Sequence, residues 1–138
     1  MGSAAEAFVE RWHGIVAERD LEGLREILAE DVQLGAPPYW QKLEGREVVG
    51  HLLGIIVETI EGFTYRREWW REGELALEFT GRVGGLELQG IDLISLDDAG
   101  RIRSLDVLMR PVNAVVALRE AVAPRMVEFL AARSRGAA

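Results

Sequence analysis

The chain contains no cysteine, which excludes a disulfide framework, a thiolate metal site and a cysteine nucleophile. Histidine is nearly as scarce. His13 and His51 are the only two, and they form no His-x-x-x-His pair, so the sequence predicts no metal centre. Adjacent basic residues never exceed the pair Arg66-Arg67, and the formal charge is −7. The positive surface that nucleic acids and anionic membranes attract is therefore missing, and neither is expected as a partner. Long apolar runs are absent too: a stretch such as Leu52 to Val57 is far too short to span a bilayer. Residues 1–20 lack the basic-then-apolar layout of a signal peptide, so a cytoplasmic location is expected.

What is present suits a folded domain. With 138 residues, 49% apolar and 28% charged, the chain fits one domain over 1–138. Met1-Gly2-Ser3 reads as a leftover of cloning, and 133–138 reads as a disordered tail. Phe8, Trp12, Ile15 and Val16 recur at helical spacing and predict a first helix over 4–17. Asp20 then supplies an N-cap for a short second helix that turns Leu24, Ile27 and Leu28 inward. Val32-Gln33-Leu34 predicts a strand ended by Pro37-Pro38, and a third helix is expected over 45–60.

After Gly62 the apolar period changes from 3.6 to about 2. Four strands are predicted, over 63–71, 74–83, 86–96 and 101–110, joined by Glu72-Gly73, Gly84-Gly85 and Asp97-Asp98-Ala99-Gly100. A terminal helix over 112–130, interrupted or kinked near Pro124, completes the chain. Helices that precede a meander predict an α+β fold. In such a layout the concave face of a curved, cone-shaped antiparallel sheet is expected to wrap the long helix, with room for an apolar pocket at the open end.

One residue is out of place in this pattern. Asp92 stands in the middle of the apolar strand Leu86 to Leu96, where an unpaired carboxylate costs several kcal/mol. Alternation puts Asp92 on one face with Leu88, Gly90, Ile94 and Leu96, and Leu105, Val107 and Met109 share a face of the next strand. If these faces coincide, Asp92 points into the cavity and desolvation raises its pKa. Two other readings stay open: Asp92 bonds a tryptophan N–H or a water and only shapes the pocket, or a bulge turns it to solvent. Trp12 lies on the inward stripe of the first helix, as core or as a cavity-lining N–H donor. Tyr39 and Trp40 follow the prolines, either capping the pocket mouth or packing as a loop. His13 is expected to be exposed, about 100° round the helix from Trp12.

The segments ERDLEGLREILAEDVQL, LEGREVV and GIDLISLDDAGRIRSLDVLMRP carry a resemblance to the nuclear transport factor 2-like superfamily, especially its SnoaL-like bacterial members. That resemblance covers nearly the whole chain. It implies a conical α+β barrel shared by ketosteroid isomerases, polyketide cyclases, epoxide hydrolases and non-catalytic binding domains. Asp92 matches the protonated aspartic acid of the isomerases, and their first-helix tyrosine falls on Trp12. Their catalytic base falls on Ala36 and their supporting tyrosines near Leu28 and Leu53, so a ketosteroid isomerase itself is not expected: an enolisation needs a base and none stands at the matching place. His51 matches a glutamate of the isomerase pattern, which implies an outer helix face. The arginine that limonene-type epoxide hydrolases place between two aspartates is replaced by Gly90.

The expectation is a small enzyme without cofactor, of isomerase, cyclase or hydrolase type, acting on a hydrophobic cyclic small molecule. Asp92 would be its acid/base, and Trp12, Tyr39, Trp40, Leu105, Val107 and Met109 would contact the substrate. The alternatives are a non-catalytic hydrophobic-ligand-binding domain and a dimerisation module. Ile91, Leu93, Leu108 and Trp70 would leave the second sheet face apolar, which predicts a homodimer through that face or cover by the terminal helix.

Overall fold

Ala5, Phe8, Val9, Trp12, Ile15 and Val16 form one buried stripe along α1 (Ala4–Glu18), the first element of a computed structural model that describes residues 4–136. Met1-Gly2-Ser3 and positions 137 and 138 lie outside the described residues. Helix α2 (Leu21–Ile27) begins at Asp20, whose side chain accepts the Gly23 N–H at 3.0 Å and so satisfies one of the helix's orphan donors. Strand β1 (Leu28–Gly35) follows directly. It is longer than the predicted strand because Leu28 and Ala29 are also buried. A two-residue strand β2 (Leu43–Glu44), too short to leave a periodic signal, pairs with β1. Helix α3 (Arg46–Thr59) starts after Gly45, whose φ of 103° suits glycine.

The meander consists of β3 (Glu61–Arg71), β4 (Glu74–Val83), β5 (Leu86–Leu96) and β6 (Ile102–Arg110). The strand order is β2-β1-β6-β5-β4-β3, in a mixed, curved and unclosed sheet. Every ladder is antiparallel except β1 with β6, which is parallel. The expected all-antiparallel sheet is corrected at that ladder: α3 and the meander separate the two strands, a crossover long enough for parallel pairing.

Helix α4 (Val112–Gly136) runs through Pro124 without a break, and residues 133–136, expected in a tail, belong to it. Proline removes one helical hydrogen bond. Burial of Val122 before it and packing of Met126 after it keep both sides against the core. The helices pack on the concave face of the sheet, and Leu118, Val122 and Met126 of α4 line the cavity there. Helix α4 therefore does not cover the outer face. Among the described residues no helix is long and apolar enough to cross a membrane.

Candidate active site

The register of the meander decides where Asp92 points. Asp92 pairs with Leu77 on β4 and with Val107 on β6, Gly90 with Phe79 and Met109, and Ile94 with Leu75 and Leu105. Cross-strand partners share a face, so Asp92 joins the row of Leu77, Phe79, Val107 and Met109. No register shift interrupts β5 before Ser95, and the bulge that would turn Asp92 to solvent is absent from this stretch. The residue is 6% exposed.

This face borders an apolar cavity of about 450 Å³, within the range that holds a small organic ligand. Trp12 comes from α1, Leu53 and Ile56 from α3, Phe63 and Tyr65 from β3, and Phe79 from β4. Of the residues singled out in the sequence, Asp92, Trp12, Tyr39, Leu105, Val107 and Met109 all line it. Trp40 does not. It is 96% exposed, because Pro37-Pro38 turns the chain so that Tyr39 faces the opening and the next side chain faces away. The cavity-contact expectation for Trp40 is thereby corrected.

Asp92 is held by a residue that the sequence did not flag. The Tyr65 hydroxyl donates to Asp92 Oδ2 at 2.9 Å, and the Trp12 Nε1–H donates to the Tyr65 oxygen at 2.6 Å. The tryptophan N–H expected beside the acid thus reaches it through a phenol. The only signal for Tyr65 was its inward parity with Phe63 on β3. Burial pushes Asp92 from its ordinary 3.8 up to about 7, against a lowering pull from the Tyr65 hydrogen bond. Burial, then the charge of Asp92, drives the Tyr65 phenol well above its ordinary 10, so tyrosine remains the donor. Oδ2 is engaged by Tyr65, leaving Oδ1 for a ligand in the cavity.

His13 was expected in solvent, yet it packs against the back of this chain. Its ring stacks on Tyr65 with centroids 5.1 Å apart, and Nε2 lies 2.5 Å from Glu68 Oε2. One helical step from Trp12, it clamps the phenol from the side away from the cavity. His51 is exposed and stacks on Phe129 of α4, outside the cavity. Ala36, at the position of the isomerase base, lines the cavity with a methyl group only. Among the described residues no group of three or more His, Asp or Glu could hold a metal ion.

The arrangement provides one poised carboxyl at the end of an apolar cavity, backed by two donors in series. Such a group can give a proton to a ligand oxygen or take one from carbon.

No family model matches the sequence, and no curated protein matches it. Solved structures do. A steroid delta-isomerase from Pseudomonas aeruginosa is 36% identical, with a TM-score of 0.86 over 95% of this chain and 97% of that one. A bacterial protein with a cystatin-like fold from Silicibacter pomeroyi DSS-3 is also 36% identical, with a TM-score of 0.85 over 92% of each chain. An NTF2-like protein of unknown function from Cytophaga hutchinsonii, 15% identical, superposes with a TM-score of 0.65 over 80% of this chain and 93% of that one; it shares the fold.

Proposed function

Because the chain belongs to the nuclear transport factor 2-like, SnoaL-like superfamily, we propose that it is a cofactor-independent enzyme whose Asp92 performs acid–base chemistry on a hydrophobic, ring-containing small molecule. One observation carries this reading: a buried carboxyl with a pKa of about 7, held at one oxygen by Tyr65, on the wall of an apolar cavity. An acid tuned close to neutral pH combines a usable population of both protonation states with a useful driving force for proton transfer. When Asp92 loses its proton to a ligand oxygen, the new negative charge falls on a carboxylate that already accepts from Tyr65. Trp12, donating to Tyr65, strengthens that bond by polarising the phenol.

With Ala36 in place of a second carboxylate, Asp92 is the one carboxyl that lines the cavity, and the proposed proton transfer runs through it. An isomerisation meets that condition, since Asp92 can remove a proton from one carbon and return it to another. The steroid delta-isomerase at 36% identity supports an apolar, ring-fused ketone as the first substrate class to test. A second reading, a non-catalytic hydrophobic-ligand-binding domain, is favoured by the same methyl group of Ala36.

The deciding experiment follows conjugation of a Δ5-3-ketosteroid by ultraviolet absorbance, with ligand binding measured in parallel by tryptophan fluorescence. Asp92→Asn should keep the fold and the binding and lose turnover by about 10²-fold or more. Undiminished turnover would remove Asp92 from the mechanism. Binding of the ketosteroid by the wild-type protein without turnover would favour the binding domain.

A further inference from the structure

Asp92 is not the only charged group lining the cavity. Lys42, from the segment between β1 and β2, and Arg119, on α4, line it as well, and no second carboxylate does. Both are exposed, so they stand where the cavity meets solvent. Tyr39, Val127 and Leu130, also exposed and also lining, mark the same opening. Lys42 lies 3.3 Å from Asp106, a carboxylate outside the cavity lining. Arg119 makes no ion pair or hydrogen bond among the described residues. On a chain of net charge −7, two basic side chains and no carboxylate line this opening.

We propose that the cavity takes an amphipathic anion: an apolar ring body inside, and a carboxylate or sulfonate-type end group seated at the mouth on Arg119 and Lys42. The inference rests on the reading of this cavity as the ligand site and adds the charge of the ligand. The guanidinium fork of Arg119 is free to donate to both oxygens of such a group, which a lysine cannot match in geometry. Lys42 contributes a second positive charge while it keeps Asp106. Orientation follows from the same placement, because an anion held at the rim turns the opposite end of the ligand toward Oδ1 of Asp92.

Two probes of one scaffold test this directly: 8-anilino-1-naphthalenesulfonate, and N-phenyl-1-naphthylamine, which lacks the sulfonate. Fluorescence titration of the wild-type protein should show the sulfonate binding about tenfold more tightly, equivalent to about 1.4 kcal/mol. Arg119→Gln should remove most of that preference, and Arg119→Gln with Lys42→Gln should bring the ratio of the two dissociation constants close to one. Equal affinities in the wild-type protein, or a preference that survives the double substitution, would overturn the proposal. Val107→Trp, with Met109→Trp as the substitute if circular dichroism shows the first unfolded, fills the cavity and should weaken both probes. Unaltered binding of both to the filled variant would place them elsewhere, and the ligand-site reading would fail together with this one.

Discussion

Burial gives Asp92 a pH signature. Its carboxyl titrates near 3.8 in an ordinary setting and near 7 here, so the folded protein keeps a proton that the unfolded chain has released. Between about pH 4 and 7 the folded state binds more protons, and the stability contribution of this residue falls as pH rises, the loss being complete above about pH 7. Asp92→Asn removes the ionisation and keeps an acceptor for Tyr65. The variant should gain on the wild-type protein through that window, by on the order of 4 kcal/mol at the plateau, as read from urea midpoints. A difference flat with pH would mean that Asp92 ionises in the folded protein as it does in water. Tyr65→Phe acts in the other direction on the acid. It deletes the hydrogen bond that favours the carboxylate, so the Asp92 carboxyl resonance in NMR should titrate at higher pH; a downward move would contradict the chain of donors. Asp92 was legible in the sequence because one carboxylate broke an apolar run. Tyr65 was not, because its partners are 27 and 53 residues away and an inward tyrosine on an aromatic strand reads as core.

Among the elements, β5 depends on a residue that has no side chain. A Cβ on Gly90 would lie 2.3 Å from Phe79 Cζ and 2.9 Å from the Leu108 carbonyl oxygen. Phe79 cannot withdraw, since it is buried and stacked on Phe63 at 4.7 Å, with Tyr65 edge-on at 6.3 Å. Gly90→Ala should therefore cost about 1–3 kcal/mol as an overpacked core. It should also disturb Tyr65, which a shift in the Asp92 titration would report; an unchanged urea midpoint would show that the strand yields freely. The periodicity located all four meander strands but missed what happens inside β3. There the register shifts between Tyr65 and Glu68, so Trp70 pairs with Leu75 on the concave side and Trp69 with Ala76 on the outer side. That reverses the expected outer placement of Trp70. The same bulge brings the consecutive Arg66 and Arg67 onto Glu78. Strict alternation cannot anticipate an inserted residue, because the bulge is set by the curvature of the whole sheet.

At the scale of the molecule, the outer face of the sheet is the feature that one chain leaves unexplained. Leu108 is 55% exposed, Leu93 42% and Trp69 53%, and register groups them with Ala76 and Ile91. Helix α4 lies on the opposite side and cannot cover them. The buried carboxylate within this patch is already paired. Glu78, only 1% exposed, accepts from Arg66, Arg67 and Gln89, and its carboxyl is held down to about 2, chiefly by the Arg67 hydrogen bond. Lys42 pairs with Asp106 at the patch's edge. Two copies of a chain with charge −7 repel each other over most orientations, but through this face they would meet where the surface is apolar and the carboxylates Glu78 and Asp106 are each paired with a basic side chain. We propose that a second copy covers it in a two-fold arrangement, which lets one self-complementary patch serve both subunits. Leu108 projects from the surface, so Leu108→Asp should leave the fold intact and place a carboxylate against its own symmetry neighbourhood. Light scattering at micromolar concentration should give a dimer for the wild-type protein and a monomer for the variant. A wild-type monomer, or a variant that remains dimeric, would assign the face to something other than self-association.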